Sequence, residues 1–285
     1  MARIKLLLTF FGLVILASGV AGAVFYWDKI AAPDFEMTQE IDGKSKSGKK
    51  REIPDLGKRH FDKAVDLLKE GNLEAAKETF YYLLEYYPES KTYPEARRIL
   101  GEVNMDLLIS KTPIPGKTEY VVRGGDAPAS IARRTETTID YLMRANGKTR
   151  TLIYKDERLS VFPLNFELEI KMADKKIIMT HDGTFFKEYD ILGTNLNSAV
   201  KPPIKTEIKE KVAWDNGRRV QITSKDYLNC QKWIRTGKIG LFIRPIEFSK
   251  SVDGQAAPPG IFVSKPDIEE LFTVVRGGSV VLMTE

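Results

Sequence analysis

One cysteine, Cys230, and two histidines, His60 and His181, are the side chains of this 285-residue chain suited to thiolate–imidazole chemistry. A thiolate nucleophile needs a base within hydrogen-bond reach to take its proton. Cys230 and His181 fall on different expected elements, so Cys230 reads as a buried, inert thiol. His60 sits just before the first expected helix, has no second ligand nearby, and reads as a surface or capping residue. A single cysteine and two histidines far apart lack metal-ligand spacing, so no metal or other cofactor is expected. One cysteine also excludes an internal disulfide.

The bulk numbers fit globular protein: 42% of residues are hydrophobic and 10% aromatic. The length allows two or three modest domains. The net charge of +5, from 44 basic and 39 acidic residues, is spread along the chain. That distribution gives no nucleic-acid footprint, and no nucleic-acid partner is expected.

The elements that must position any chemistry begin with an apolar run. Leu6 to Trp27 is 22 residues without a charge. As a helix it would rise about 30 Å, the hydrocarbon thickness of a bilayer. Arg3 and Lys5 precede it, and Tyr26 and Trp27 sit at the far interface, so the N-terminus would face the cytoplasm. The rival is a cleaved signal peptide with Ala21-Gly22-Ala23 as its small-residue site. Both readings of residues 1–30 export the rest, which would lie outside the cytoplasm in the cell envelope. Residues 31–55, with the basic stretch 44–51, read as a disordered tether.

From Leu56 to Lys111 apolar residues recur at helical spacing. Ala64, Leu67 and Leu68, then Gly71-Asn72, then Ala75, Ala76, Phe80, Leu83 and Tyr87-Pro88 mark two helices. A third follows from Tyr93 or Pro94. The pattern resembles a tetratricopeptide repeat, which implies a protein partner. A short spacer with Tyr81, Tyr82 and Tyr86 in its own core fits equally.

After the linker Thr112 to Lys117, residues 117–164 carry a strand at Tyr120-Val121-Val122 and a Gly124-Gly125-Asp126 turn. A helix opens at Pro128, a second helix Ile139–Asn146 is capped by Thr137-Thr138, and a strand closes at Arg158–Val161. This βααβ order, with Leu142 and Met143 inward, resembles the LysM domain. The resemblance implies binding of N-acetylglucosamine in peptidoglycan or chitin. Carried over by position, its groove would be Gly125, Asp126, Ala127 and Pro128 on one side. Gly147, Leu152, Ile153 and Tyr154 would form the other. Two departures stand out. Ala127-Pro128 replaces the usual Thr-Leu, which removes one backbone donor, and Lys155-Asp156 replaces the usual Pro-Gly. Asp126 has a second reading, as a helix cap.

Residues 167–285 turn to short strands, with His181-Asp182-Gly183 as a hairpin turn and a helix from Lys265 to Val274. Phe185 to Tyr189, Ile208 to Asp215, Lys232-Trp233-Ile234, Gly240-Leu241, Gly260 and Asp267 to Phe272 together are similar to the L,D-transpeptidase catalytic domain. That family implies a cysteine nucleophile with a nearby histidine and arginine, attacking peptidoglycan stem peptides. Here those positions fall on Ile261, Pro259 and Val263. Isoleucine forms no acyl-enzyme and proline transfers no proton, so the resemblance implies a non-catalytic domain. Arg244, beside Pro245, reads as a solvated charge or as a contact for an anionic stem peptide.

The sequence therefore predicts an α+β multidomain protein. An N-terminal transmembrane helix, a short α-helical repeat, a βααβ LysM module and a mostly-β L,D-transpeptidase-like domain follow one another. The leading expectation is a membrane-anchored peptidoglycan-binding protein, not an enzyme. An active L,D-transpeptidase and a helical-repeat assembly factor for envelope proteins are the alternatives.

Overall fold

The computed structural model describes residues 54–215, 217–248 and 259–285. The expected anchor and nearly all of the tether lie outside the described residues. No described helix is long and apolar enough to cross a membrane.

The chain opens with three antiparallel-neighbour helices: α1 (Leu56–Lys69), α2 (Leu73–Tyr86) and α3 (Tyr93–Ile109). Asp55 caps α1, its carboxylate accepting from the Lys58 amide. The same carboxylate accepts from the Lys91 amide at 2.8 Å and the Ser90 hydroxyl at 3.0 Å. One side chain thus pins the start of α1 to the α2–α3 connection. Gly71, with φ of 76°, makes the left-handed turn that stops α1, and Asn72 caps α2 through the Ala75 amide. Ala64, Ala76 and Ala96 are fully buried against Phe80, Leu83 and Leu100, so small side chains let the helices approach closely.

Two expectations fail here. His60 lies inside α1, not before it, with its ring 4.9 Å from those of both Tyr82 and Tyr87. Tyr86 is 58% exposed, so it is not part of an internal tyrosine core. Tyr81 packs partly against the helical cluster, and its hydroxyl donates to the Phe185 carbonyl at 2.7 Å.

A second unit pairs β1 (Thr118–Val121) with β2 (Arg158–Val161), antiparallel, around α4 (Pro128–Arg134) and α5 (Ile139–Ala145). Its own core is Val122, Ile131, Ala132, Leu142, Met143, Leu159 and Val161. Thr138 caps α5 through the Tyr141 amide.

The remaining strands are β3 (Phe166–Lys171), β4 (Lys176–His181), β5 (Thr184–Asp190), β6 (Gly193–Asn195), β7 (Ile204–Asp215), β8 (Arg218–Arg219), β9 (Gln231–Thr236), β10 (Phe242–Pro245), β11 (Gly260–Val263) and β12 (Val280–Thr284). They form one curled ten-stranded sheet in the order β5-β4-β3-β12-β7-β9-β10-β11-β6, with β8 on β7. The helix α6 (Lys265–Val274) connects β11 to β12. β12 runs parallel to β3 and antiparallel to β7, and β10 runs parallel to β11. Asp182 and Gly183, both at positive φ, make the expected hairpin turn between β4 and β5.

Each region has a core cluster, and α3 and α5 also contribute to that of the sheet. Met105 and Leu108 of α3, Tyr141 and Ala145 of α5, and Phe162 pack in the same cluster as Leu168, Ile170 and Ile177 of the sheet. Polar ties reinforce it: the Tyr141 hydroxyl donates to the Leu108 carbonyl at 3.1 Å, and the Thr138 hydroxyl donates to the Thr273 carbonyl. Burial leaves the Tyr141 phenol well above its ordinary pKa, so it stays a donor.

Candidate functional site

The first candidate is the pair of loops at one end of the antiparallel β1–β2 pair. Val122 holds them side by side: its amide donates to the Glu157 carbonyl and its carbonyl accepts from the Asp156 amide, both at 2.8 Å. Gly125, Asp126, Ala127 and Pro128 leave from this point in one direction, and Tyr154, Ile153 and Leu152 in the other.

In the first loop Gly125 has φ of 86° and nothing within 4 Å of where a Cβ would stand. Asp126 is not a helix cap. Its carboxylate accepts from the Arg123 amide at 2.9 Å and from the Tyr120 hydroxyl at 2.8 Å. Arg134 of α4 pairs with it at 3.3 Å and also donates to the Tyr120 oxygen. The Arg123 amide, the Tyr120 hydroxyl and the nearby guanidinium hold the carboxyl below the usual aspartate range. The cap comes from Ser130, whose Oγ accepts from the Ala127 amide at 3.1 Å. Asp126 and Ala127 therefore spend their donors inside the turn, since the Asp126 amide bonds the Arg123 carbonyl.

In the second loop Lys148 reaches Glu157 at 2.6 Å and the Leu152 carbonyl at 2.9 Å. Glu157 in turn accepts from the Tyr154 amide at 3.0 Å. The Gly147 amide bonds the Arg144 carbonyl. Among the described residues, the amides of Gly125, Leu152 and Ile153 carry no such internal bond. Leu152 and Tyr154 are 55% and 62% exposed, while Ile153 packs partly on the module's core. The pair of arms thus offers a few amides without internal bonds beside exposed apolar side chains. Asp156 takes positive φ, 65°, a conformation that glycine adopts more readily.

A pocket of about 430 Å³ lies beside this end of the strand pair, lined by Tyr120, Val122, Gly124, Lys155 and Asp156 among others. None of the eight expected groove residues lines it. Tyr120 and Arg134, which fix the first arm through Asp126, were not legible as site residues because their meeting depends on how α4 folds back on β1.

The second candidate is the β10–β11 edge. Ile261 and Val263 are fully buried, and Ile261 pairs with Ile243 across the parallel strands. Arg244 is 2% exposed, so it is not the solvated charge expected of it. Its guanidinium lies 3.4 Å from the centre of the Trp233 ring, and Nη1 donates to the Pro259 carbonyl at 3.2 Å. Burial pulls its pKa down to about 10. Among the described residues no carboxylate pairs with it, and the cation stacks on indole instead. Gly260 is required here, because a Cβ would meet Arg244 Cδ at 3.0 Å and the Phe242 carbonyl at 3.1 Å.

Cys230 is 2% exposed and donates its thiol to the Asp226 carbonyl at 3.0 Å. Burial raises its pKa, which disfavours the thiolate. His181 ends β4 and Cys230 directly precedes β9, with β3, β12 and β7 between those strands. At sheet spacing that is roughly 19 Å measured along the sheet. The His181 Nε2 is turned to the Pro163 carbonyl at 3.1 Å. The structure does not bring these two together. No group of metal-ligating residues occurs among the described residues.

Several solved structures similar to the C-terminal part are L,D-transpeptidases. An L,D-transpeptidase from Stackebrandtia nassauensis is 13% identical, with 42% of this chain and 56% of that chain covered and a TM-score of 0.31. Mycobacterium tuberculosis L,D-transpeptidase 1 is 12% identical, with 42% and 62% covered and a TM-score of 0.29. A mutant L,D-transpeptidase from Enterococcus faecium is 14% identical, with 64% and 82% covered and a TM-score of 0.30. The chain thus spans less than two thirds of the length of the first two. No protein-family model and no curated protein matches the chain.

Proposed function

We propose that the chain is an exported peptidoglycan-binding protein, held at the cytoplasmic membrane by its N-terminal apolar run. The βααβ module grips N-acetylglucosamine through the Gly125–Pro128 and Leu152–Tyr154 arms. The β domain serves as a non-catalytic second surface for wall attachment or scaffolding. The observation that carries this reading is the pair of arms held side by side at Val122, with exposed Leu152 and Tyr154 beside open amides. The absence of catalysis is supported by buried aliphatic side chains at Ile261 and Val263, and by a Cys230 thiol that is buried and turned to a carbonyl. The helical segment acts as a spacer fixed to the sheet, because α3 already has β5 as its partner.

Nuclear magnetic resonance titration of the chain with an N-acetylglucosamine tetramer tests this. Shifts centred on Gly125, Ile153 and Tyr154 support the reading. Shifts elsewhere, or none at millimolar sugar, count against it. A covalent carbapenem adduct that disappears in Cys230→Ala would overturn the non-catalytic part.

A further inference from the structure

A cleft of about 480 Å³ opens where α4 and α5 meet the sheet, within the range of small-ligand sites. Neither the glycan arms nor the β10–β11 edge contributes to it. Its cationic lining residues are Arg133, Lys211 and Arg276, and its one lining carboxylate is Asp140. That carboxylate is already shared: it accepts from the Tyr227 hydroxyl at 2.7 Å and stands 3.6 Å from the Lys211 ammonium. Lys211 is only 16% exposed and otherwise donates to the Phe272 carbonyl. A second ammonium, Lys232, is buried close behind, 3.3 Å over the Tyr227 ring, with Glu269 and Asp140 as its acidic neighbours. Burial lowers the pKa of both lysines. Thr137, 6% exposed and lining the cleft, has a hydroxyl with no protein partner. Glu136 is spoken for by Arg276, 3.5 Å away. Lys211 is therefore a partly desolvated cation in the cleft, with exposed Arg133 beside it in the lining and apolar walls from Ala132, Ala213 and Ile222.

We infer that this cleft binds a carboxylate-bearing ligand of short-peptide type, with the carboxylate between Lys211 and Arg133 and the aliphatic part on Ala132 and Ala213. Among the described residues the Lys211 ammonium has one carboxylate neighbour, and that one is shared, so it gains from a second anion in a partly dry site. A peptide terminus supplies both the anion and short apolar side chains. The inference is independent of glycan binding, since the two sites share no residue.

The test is calorimetric titration of the full-length chain with N-acetyl-alanyl-alanine, in L,L and D,D forms, against the C-terminal amides. The expected result is that at least one acid binds about tenfold or more tighter than its amide. Arg133→Glu, at an exposed position on α4, and Lys211→Met should each weaken the acid about tenfold and leave the amide unchanged. Should Lys211→Met fail to fold, the Arg133 variant decides alone. Equal affinity for acid and amide, no binding of either acid at millimolar concentration, or an unchanged acid affinity in Arg133→Glu would overturn the inference.

Discussion

The Asn104 amide nitrogen donates to the Phe186 carbonyl at 2.8 Å, so helix α3 is hydrogen-bonded to the backbone of strand β5. The same nitrogen donates to the Tyr81 hydroxyl at 3.1 Å, and Asn104 is 3% exposed. Replacing it by alanine leaves the part-buried Phe186 carbonyl without this donor and loosens the hydroxyl that reaches Phe185. Asn104→Ala is expected to cost about 1–3 kcal/mol in urea unfolding, as for other orphaned buried polar groups. A change under a few tenths would mean that α3 is not fastened here.

Gly101 makes the same junction sensitive to volume. Gly to Ala inside a helix ordinarily stabilises by up to about 1 kcal/mol. At Gly101 the added Cβ would meet Lys187 Cγ at 2.8 Å and its Cα at 3.3 Å. Lys187 cannot swing away freely, because its ammonium bridges Glu102 and Glu270 at 2.8 and 2.7 Å. Gly101→Ala should therefore lower the melting temperature, and a raised one would refute the close approach.

The Asp126 turn predicts a pH dependence. The carboxyl titrates below its ordinary value in the folded chain, held by the Arg123 amide and the Tyr120 hydroxyl. Its contribution is present above the unfolded aspartate value, about 3.9, and is lost as pH falls through the lower folded value. The stability advantage of the wild type over Asp126→Asn should be constant from neutral pH down to that range and vanish below it. Paired denaturation curves over acid pH check this.

Cys230 should resist thiol reagents. With its sulfur buried and its pKa raised, iodoacetamide at neutral pH is expected to label the chain only after unfolding. Rapid labelling of the folded chain, followed by mass spectrometry, would contradict the buried thiol.

Much of the local structure is legible in the sequence, and the reasons are local. Gly71-Asn72 and Pro94 punctuate the helices, and the β4–β5 hairpin follows from Asp182-Gly183. The βααβ order follows from the turn at Gly124-Gly125 and the cap at Thr138. What stays hidden is non-local. β3 pairs with β12 in parallel over more than a hundred residues, Leu168 with Val281, and no turn signal marks such a partner. The first half of β7, from Ile204, carries no clean alternation that would extend it. Arg244 reads as a surface charge because nothing nearby in sequence announces Trp233 beneath it. His60 falls inside α1 because the helix starts at Leu56 under the Asp55 cap. The cationic cleft escapes for the same reason: Arg133, Lys211 and Arg276 belong to three separate stretches that only the packing of α4 and α5 on the sheet brings together.

The most direct test of the central claim is co-sedimentation of the chain with purified peptidoglycan sacculi, comparing wild type with Ile153→Asp combined with Tyr154→Ala. The account predicts that the wild type pellets with the sacculi, that the double variant stays largely in solution while remaining folded, and that no cross-links are made or cut. A wild type that stays in the supernatant, or a double variant that pellets as well as the wild type, would contradict it.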